Sequence, residues 1–307
     1  MRSVLVIGGS YFAGRVFVEQ LSEDNGTSLC VLNRGSRPLG VAGLREIACD
    51  RNDTARLKGM LSGQSWEAVV DFCGYTPQDV RSVLAALPPG SVGHYLFVST
   101  VSGYAPTRKL PVKENAAKLA AAQPELGPAA NYGYEKWLAE KALSGLCREA
   151  SIPLTCLRPT IIYGKYNYAP RESYFFDSIL AGRTLVVPEG DLPLFQFVSV
   201  WDVARIITMC LCNPEVHNQV FNLSAEELVS YGRFIEVVEA VSRRRATVRA
   251  LNVAEIERNR IPLPFPLASH LIYDGTLIQK TLSFAYTPFV SGMEKAYAWY
   301  CQSRPAA

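Results

Sequence analysis

The sequence predicts an α/β fold, a doubly wound parallel sheet with a smaller C-terminal α/β lobe. Three observations predict it. Short apolar runs alternate with helical patterns, a glycine-rich turn directly follows the first run, and the regular rhythm breaks after about residue 164. Strands that alternate with helices need crossover connections, which make the sheet parallel and place helices on both of its faces.

The first run, Ser-Val-Leu-Val-Ile at 3–7, meets Gly8-Gly9-Ser10-Tyr11-Phe12-Ala13-Gly14. A helical pattern follows at Val16, Phe17, Val18 and Leu21. Further strand-like runs lie at 29–32, 45–48, 68–72, 94–98 and 154–157, with a seventh at 220–223. Thr76, followed by Pro77 and Asp79, caps a helix running to Leu87, with proline at its first position. Residues 131–148 carry apolar side chains at 134, 137, 138 and 142, a helical spacing. Ser199 with Asp202 caps a helix through Val203, Ile206, Ile207 and Cys210. Residues 164–193 are then rich in aromatics, glycine and proline. A helix near 231–242, a short strand near 247–251, a proline-rich loop and a last helix near 291–302 complete the chain. Residues 1–163 plus 195–223 are read as the sheet domain. Residues 164–194 plus 224–307 are read as a lobe over the carboxyl ends of its strands, where open α/β sheets bind ligands.

Composition narrows the function classes. The chain has 307 residues, 49% hydrophobic and 19% charged, which suits one large or two interlocked globular domains. A net charge of +3 gives no ground for nucleic acid as a partner. Arg243-Arg244-Arg245 reads as a solvated helix end. No segment approaches the ~18 uninterrupted apolar residues of a membrane span, so a cytoplasmic location away from membranes is expected. The eight cysteines lie mostly inside strand- or helix-like runs and the three histidines are scattered, which points to free thiols and no metal site.

The chemistry lies in three places. Strand, tight glycine turn and helix start form a dinucleotide phosphate cradle. The glycines let the backbone approach a pyrophosphate, and the helix N-terminus offers free N–H groups and a positive dipole. The run at 94–98 ends in Ser99-Thr100-Val101-Ser102. Tyr132-Gly-Tyr-Glu-Lys136 follows, and residues four apart share one helix face. A lysine ammonium beside a phenol lowers its pKa from about 10. Such a tyrosine moves a proton to or from a hydroxyl while hydride moves to or from a nicotinamide, and a Thr100 hydroxyl can hold the same oxygen. The spacing alone is weak; the order of cradle, Ser-Thr strand end and Tyr-x-x-x-Lys helix carries the reading.

In these motifs the chain resembles the short-chain dehydrogenase/reductase superfamily, in its extended or atypical NAD-dependent epimerase/dehydratase branch. The likeness includes Gly8-Gly9 to Gly14, Asn33-Arg34-Gly35, Cys49-Asp50-Arg51, Asp71 to Gly74, Ser99-Thr100, Tyr132 to Lys136, Leu157-Arg158-Pro159, Tyr163-Gly164 and Phe197 to Ala204. It implies a Rossmann-type sheet. It also implies Tyr132 as acid/base, Thr100 on the reacting oxygen and Lys136 on the nicotinamide ribose. The cofactor set it implies comprises Gly8, Gly9, Ser10, Tyr11, Phe12, Gly14, Asn33, Arg34, Asp50, Arg51, Cys73, Gly74, Ser99, Lys136 and Pro159, with Asp50 toward the adenine. Extended members often pair through helices, so a homodimer is compatible with the resemblance.

Four positions depart from the family pattern. Tyr11 replaces a glycine of the turn. The second strand ends in Asn33-Arg34 rather than an acid, which favours NADP over NAD, because arginine accepts a 2′-phosphate. Val101-Ser102 stands where hexose 4,6-dehydratases carry Asp-Glu, which disfavours water elimination. Ile161 and Phe195 stand where nucleotide-sugar members carry asparagine and arginine. An arginine fork clamps a diphosphate and phenylalanine cannot, so these two positions disfavour a UDP- or GDP-sugar. The expected substrate is a polyhydroxylated, sugar-like small molecule, with Ser102, Tyr166, Arg171 and Gln196 as candidate contacts. The expected activity is NAD(P)-dependent oxidoreduction or epimerisation at a secondary alcohol or ketone. A non-catalytic or RNA-binding relative, or an NADP-sensing regulator, is the alternative, since fold alone does not fix function.

Overall fold

A computed structural model describes residues 2–190 and 192–303. In chain order the first half runs β1 (Arg2–Ile7), α1 (Phe12–Leu21), β2 (Thr27–Asn33), β3 (Arg45–Ala48), α2 (Thr54–Leu61), β4 (Ala68–Asp71), α3 (Pro77–Ala86), β5 (Tyr95–Val98), α4 (Tyr132–Glu149) and β6 (Leu154–Pro159). The second half runs β7 (Ile161–Tyr163), α5 (Glu172–Leu180), β8 (Leu185–Pro188), β9 (Phe197–Ser199), α6 (Val200–Cys210), β10 (Gln219–Leu223), α7 (Tyr231–Ser242), β11 (Val248–Leu251), α8 (Val253–Arg258), α9 (Thr276–Leu282) and α10 (Phe289–Ser303).

Seven strands form one sheet in the order β10-β6-β5-β4-β1-β2-β3, and all their pairings are parallel. The order reverses between β1 and β4, which opens a crevice at their carboxyl ends. This is the doubly wound sheet the sequence predicts. Strand β1 shows why its residues are apolar throughout. Val4 and Val6 face one core with α1 and α6, Leu5 and Ile7 face the other with α2, α3 and α4, and all four are essentially fully buried. Period-two side chains between two helical layers leave no polar face.

Local chemistry sets the helix starts. Thr76 accepts from the Asp79 N–H and Asp79 accepts from the Thr76 N–H, a reciprocal capping box with Pro77 at the first position. Ser199 accepts from the Asp202 N–H at the start of α6.

The second half adds two small parallel pairs, β7 with β9 and β8 with β11. Many of the aromatics that crowd 164–300 are packing residues. Phe175, Phe197, Phe234, Phe265 and Phe289 interlock with centroid separations of 4.5–6.1 Å and join the core that covers α1 and α6. Two packed layers therefore share one apolar core with the parts above the strand ends. Among the described residues no helix is long and apolar enough to cross a membrane, and no group of three or more metal-ligating side chains occurs.

Candidate active site

A cleft of about 1030 Å³ opens at the strand-order reversal and runs from the glycine turn to the loops near 105–126 and 266–273. At its dinucleotide end β1 delivers Gly8 at φ +84°, a left-handed conformation that glycine adopts freely. A Cβ on Gly14 would stand 2.7 Å from the Gly8 carbonyl oxygen, so α1 starts directly against the turn. Gly9 lies behind the cleft, where a Cβ would meet Val18 at 2.7 Å and Val6 at 3.0 Å; it closes helix against strand. Tyr11 occupies the cap position of α1 in extended backbone and its side chain makes no cap hydrogen bond. Its ring stacks on Tyr168, while Gly8, Ser10 and Gly14 of the turn line the cleft.

At the β2 end, Asn33 Nδ2 donates to Glu46 of β3 at 2.9 Å, and Asn33 Oδ1 accepts from the Gly35 N–H at 2.7 Å. Glu46 also accepts from the Leu39 N–H. The strand end thus carries a carboxylate after all, brought from the neighbouring strand. Arg34 and Asp50 line the same rim. Arg51 lines it too, but its guanidinium is committed to Asp71 by a two-pronged pair at 2.9 and 2.7 Å and to the Asp79 carbonyl. Asp71 is fully buried. Burial alone pushes its carboxyl up, yet Arg51 and the Cys73 N–H hold it below the ordinary range. It also accepts from the Gly74 N–H and the Tyr95 hydroxyl. This pins the segment after β4. Cys73 lines the cleft, with its thiol pushed up to about 11, chiefly by burial, which holds it in the protonated form near neutral pH.

At the reacting end Thr100, Ser102, Tyr132 and Lys136 meet in the cleft. Thr100 Oγ1 accepts from the Ser102 N–H at 3.1 Å and donates to the Ser102 hydroxyl at 3.2 Å. Lys136 is 2% exposed and donates to the carbonyls of Gly74 at 2.9 Å and Val98 at 2.7 Å. Burial brings its ammonium down to about 8, while the Asp71 charge works the other way. The expected depression of the Tyr132 phenol by Lys136 is not what the geometry gives. Partial loss of hydration raises that phenol, and the nearby Thr100 hydroxyl and the charge of Arg171 offset part of the rise. The ammonium is tied to backbone carbonyls and faces the rings of Phe97 at 4.3 Å and Tyr75 at 5.4 Å.

A buried polar chain holds this end together. Ser99 Oγ donates to Glu140 of α4 at 2.6 Å, and Arg158 of β6 pairs with both oxygens of Glu140. Arg158 also donates to the Tyr104 hydroxyl, which donates to Asn222 of β10. Three strand ends and the tyrosine helix are thereby locked in register. Pro159 lines the cleft, and beside it the Thr160 hydroxyl is buried there with no hydrogen-bond partner among the described residues. Because this atom lies in the cleft, a ligand can supply its partner, and with the glycine turn that lines the same cleft it fits a nicotinamide dinucleotide.

The four substrate candidates divide. Ser102 and Arg171 line the cleft; Arg171 also donates to the Ile162 carbonyl. Tyr166 and Gln196 lie outside it for identifiable reasons. The Tyr166 hydroxyl donates to Glu19 at 2.7 Å and its ring packs on Trp299. Gln196 is buried, donates to the Ala225 carbonyl and accepts from the Tyr273 N–H. Gly74 is likewise behind the cleft and acts through its carbonyl. Tyr75, Arg37, Thr160, Tyr168, His270 and Tyr273 line the cleft and were not singled out by the sequence. Tyr75, one residue past the Asp71–Gly74 motif, and Thr160, one residue past Leu157-Arg158-Pro159, had a signal nearby. Phe195 is a buried core ring against Tyr231 and Phe265, so the arginine of nucleotide-sugar members has been exchanged for packing.

Residues 77–224 match the NAD dependent epimerase/dehydratase family. The chain is 26% identical over 244 residues to the chloroplast stem-loop binding protein of 41 kDa b of Arabidopsis thaliana, covering 75% of this chain and 60% of that one. It therefore spans about 60% of that relative's length. It is 26% identical to a UDP-glucose 4-epimerase of Lactobacillus helveticus, covering 78% of this chain and 81% of that one. Among solved structures, UDP-glucuronic acid 4-epimerase of Bacillus cereus with UDP-glucuronic acid and NAD superposes with a TM-score of 0.78 at 18% identity, over 98% of this chain and 99% of that one. MoeE5 with UDP-glucose and NAD gives 0.77 at 20%, over 98% and 99%. These complexes hold NAD, which overturns the expectation of NADP drawn from Asn33-Arg34. The geometry gives the reason that arginine misled: Glu46 sets a carboxylate against the same strand end, where a 2′-phosphate would add two like charges.

Proposed function

We propose that the chain is a member of the NAD-dependent epimerase/dehydratase superfamily and an NAD-dependent epimerase or oxidoreductase acting through Tyr132 on a secondary alcohol or ketone. The substrate class is a sugar-nucleotide-like, polyhydroxylated small molecule. The observation that carries this reading is the meeting of the glycine turn, Thr100, Tyr132 and Lys136 in one cleft at the strand-order reversal.

A bound nicotinamide supplies the acceptor and donor of hydride. The turn from Gly8 to Gly14 and the start of α1 hold its pyrophosphate. Lys136 uses two of its three donors on Gly74 and Val98, which fixes the third for a ribose hydroxyl. Thr100 orients the substrate oxygen. With a nicotinamide bound, Tyr132 would take the proton from the substrate hydroxyl that Thr100 orients and return it to the same oxygen. Hydride return to the opposite face would give the epimer with no net redox change. The elevated phenol of Tyr132 fits the acid half of this cycle, and the positive ring of an oxidised cofactor lowers it for the basic half.

The test is a panel of UDP-hexoses and UDP-uronic acids incubated with protein and NAD, read as product epimer and as 340 nm absorbance. Turnover that falls at least ~10²-fold in Tyr132→Phe supports the assignment; undiminished turnover removes Tyr132 from it. The likeness to a stem-loop binding protein favours a second reading, RNA binding. Salt-sensitive RNA binding unaffected by Tyr132→Phe, with no turnover on the panel, would put that reading first.

A further inference from the structure

Side chains from three separate segments cross the dinucleotide side of the cleft. Tyr11, on the glycine turn, stacks on Tyr168 with ring centroids 5.0 Å apart and planes 23° apart. The Arg37 guanidinium, from the loop after β2, lies 4.2 Å from the centroid of the same Tyr11 ring. Phe12 meets the Tyr168 ring edge-on at 5.8 Å. All four line the cleft, yet Tyr11 is 40% exposed and Tyr168 65% exposed. What these rings hold together is the opening of the cleft and not the core.

The segment that carries Tyr168 has a fixed base and a lightly held tip. At the base, Lys165 and the Tyr166 hydroxyl both bond Glu19 of α1 at 2.7 Å, and Arg15 lies over the Tyr166 ring at 4.5 Å. Tyr166 itself sits at φ +64°, in the left-handed region, where the chain turns sharply. At the tip, the ring contacts of Tyr168 are with Tyr11 and Phe12. An exposed aromatic stack is worth only one or two multiples of thermal energy, so the tip can release while the base stays in place.

This rests on the reading that the Gly8–Gly14 turn cradles the dinucleotide. We propose that Tyr168, Tyr11 and Arg37 form a clasp across the cleft that must open for NAD to enter or leave and that slows its release. The departure at position 11 then has a use. The tyrosine ring, stacked on Tyr168 and under Arg37, is the middle member of the clasp. A cofactor held in this way stays through both hydride transfers, which favours epimerisation over net oxidation or reduction at the same site.

The experiment is a stopped-flow chase. Protein preloaded with NADH is mixed with excess NAD, and loss of bound-nicotinamide fluorescence gives the release rate. Tyr168→Ala is expected to release NADH at least about fivefold faster than wild type. Tyr168→Phe keeps the ring and is expected to stay within twofold of wild type. Arg37→Ala is expected to fall between wild type and Tyr168→Ala. The exposure of Tyr168 makes both of its variants compatible with an unchanged circular dichroism spectrum. Release within twofold of wild type in both alanine variants overturns the clasp while leaving the cofactor reading standing. Equal acceleration in Tyr168→Phe and Tyr168→Ala also overturns it, since the hydroxyl and not the stack would then be acting. A wild-type protein that binds no NADH overturns the cofactor reading and the clasp with it.

Discussion

Acidification from pH 7 to pH 5 destabilises this fold through His94. The ring is 1% exposed at the start of β5. Thr155 donates its hydroxyl to the Val216 carbonyl, so its oxygen is left to accept from His94 Nε2 at 2.8 Å. That places the His94 proton on Nε2 and leaves Nδ1 buried without a hydrogen-bond partner among the described residues. The His217 ring packs against it with centroids 4.5 Å apart. Protonating Nδ1 would bury a charge, so burial, with some help from His217, lowers the group from 6.5 to about 4. The unfolded chain therefore binds this proton first, and stability falls as pH drops through the interval between the two values. At pH 5 the loss is about 2 kcal/mol, rising toward about 3 kcal/mol at pH 4 and below. Urea midpoints measured between pH 7 and pH 5 in wild type and His94→Gln check this. The variant should show a pH dependence flatter by about 2 kcal/mol over that range. Identical slopes in the two proteins would refute the reasoning.

Other perturbations test other parts of the structure. Gly14→Ala puts a methyl 2.7 Å from the Gly8 carbonyl oxygen; it should cost about 1–3 kcal/mol in thermal or urea stability and weaken dinucleotide binding, and an unchanged midpoint and affinity would contradict the packing. Arg51→Met leaves the fully buried Asp71 charge with only neutral donors; a loss of about 3–5 kcal/mol is expected at pH 7 by urea titration, and a loss under about 1 kcal/mol would show the pair to be unimportant. Lys136→Met strips the Gly74 and Val98 carbonyls of their donor and should lose at least about 1 kcal/mol of stability together with nicotinamide binding; full stability would mean that water replaces the ammonium there.

Much of this architecture is written in local pattern. The inner strands β1, β4, β5 and β6 are short, largely apolar runs because both sheet faces are covered there, and the Thr76–Asp79 box and Ser199 mark their helix starts unaided. Helix α2 went unseen because its eight residues bury only Leu57 and Leu61, too few for a periodic signal. The three- and four-residue strands of the small pairs are set by tertiary contact, with too few residues to show a period. The same divide runs through the site. Gly8, Gly14, Thr100, Tyr132 and Lys136 sit in a cleft as local motifs suggested. The anchors of Lys136 are carbonyls 62 and 38 residues away, and the carboxylate at the β2 end comes from Glu46 on another strand, so neither was legible. Tyr166 and Gln196 were read as substrate contacts because a polar side chain in a loop looks alike whether it meets a ligand or a distant Glu19 or Tyr273.

The central claim is that the glycine turn, despite Tyr11, holds NAD beside Tyr132. Equilibrium titration of the purified protein with NADH and with NADPH, followed by nicotinamide fluorescence in wild type and Tyr132→Phe, tests it most directly. The account predicts saturable NADH binding, tighter than NADPH, that Tyr132→Phe leaves nearly intact. Absence of binding by either nucleotide, with none carried through purification, would contradict it.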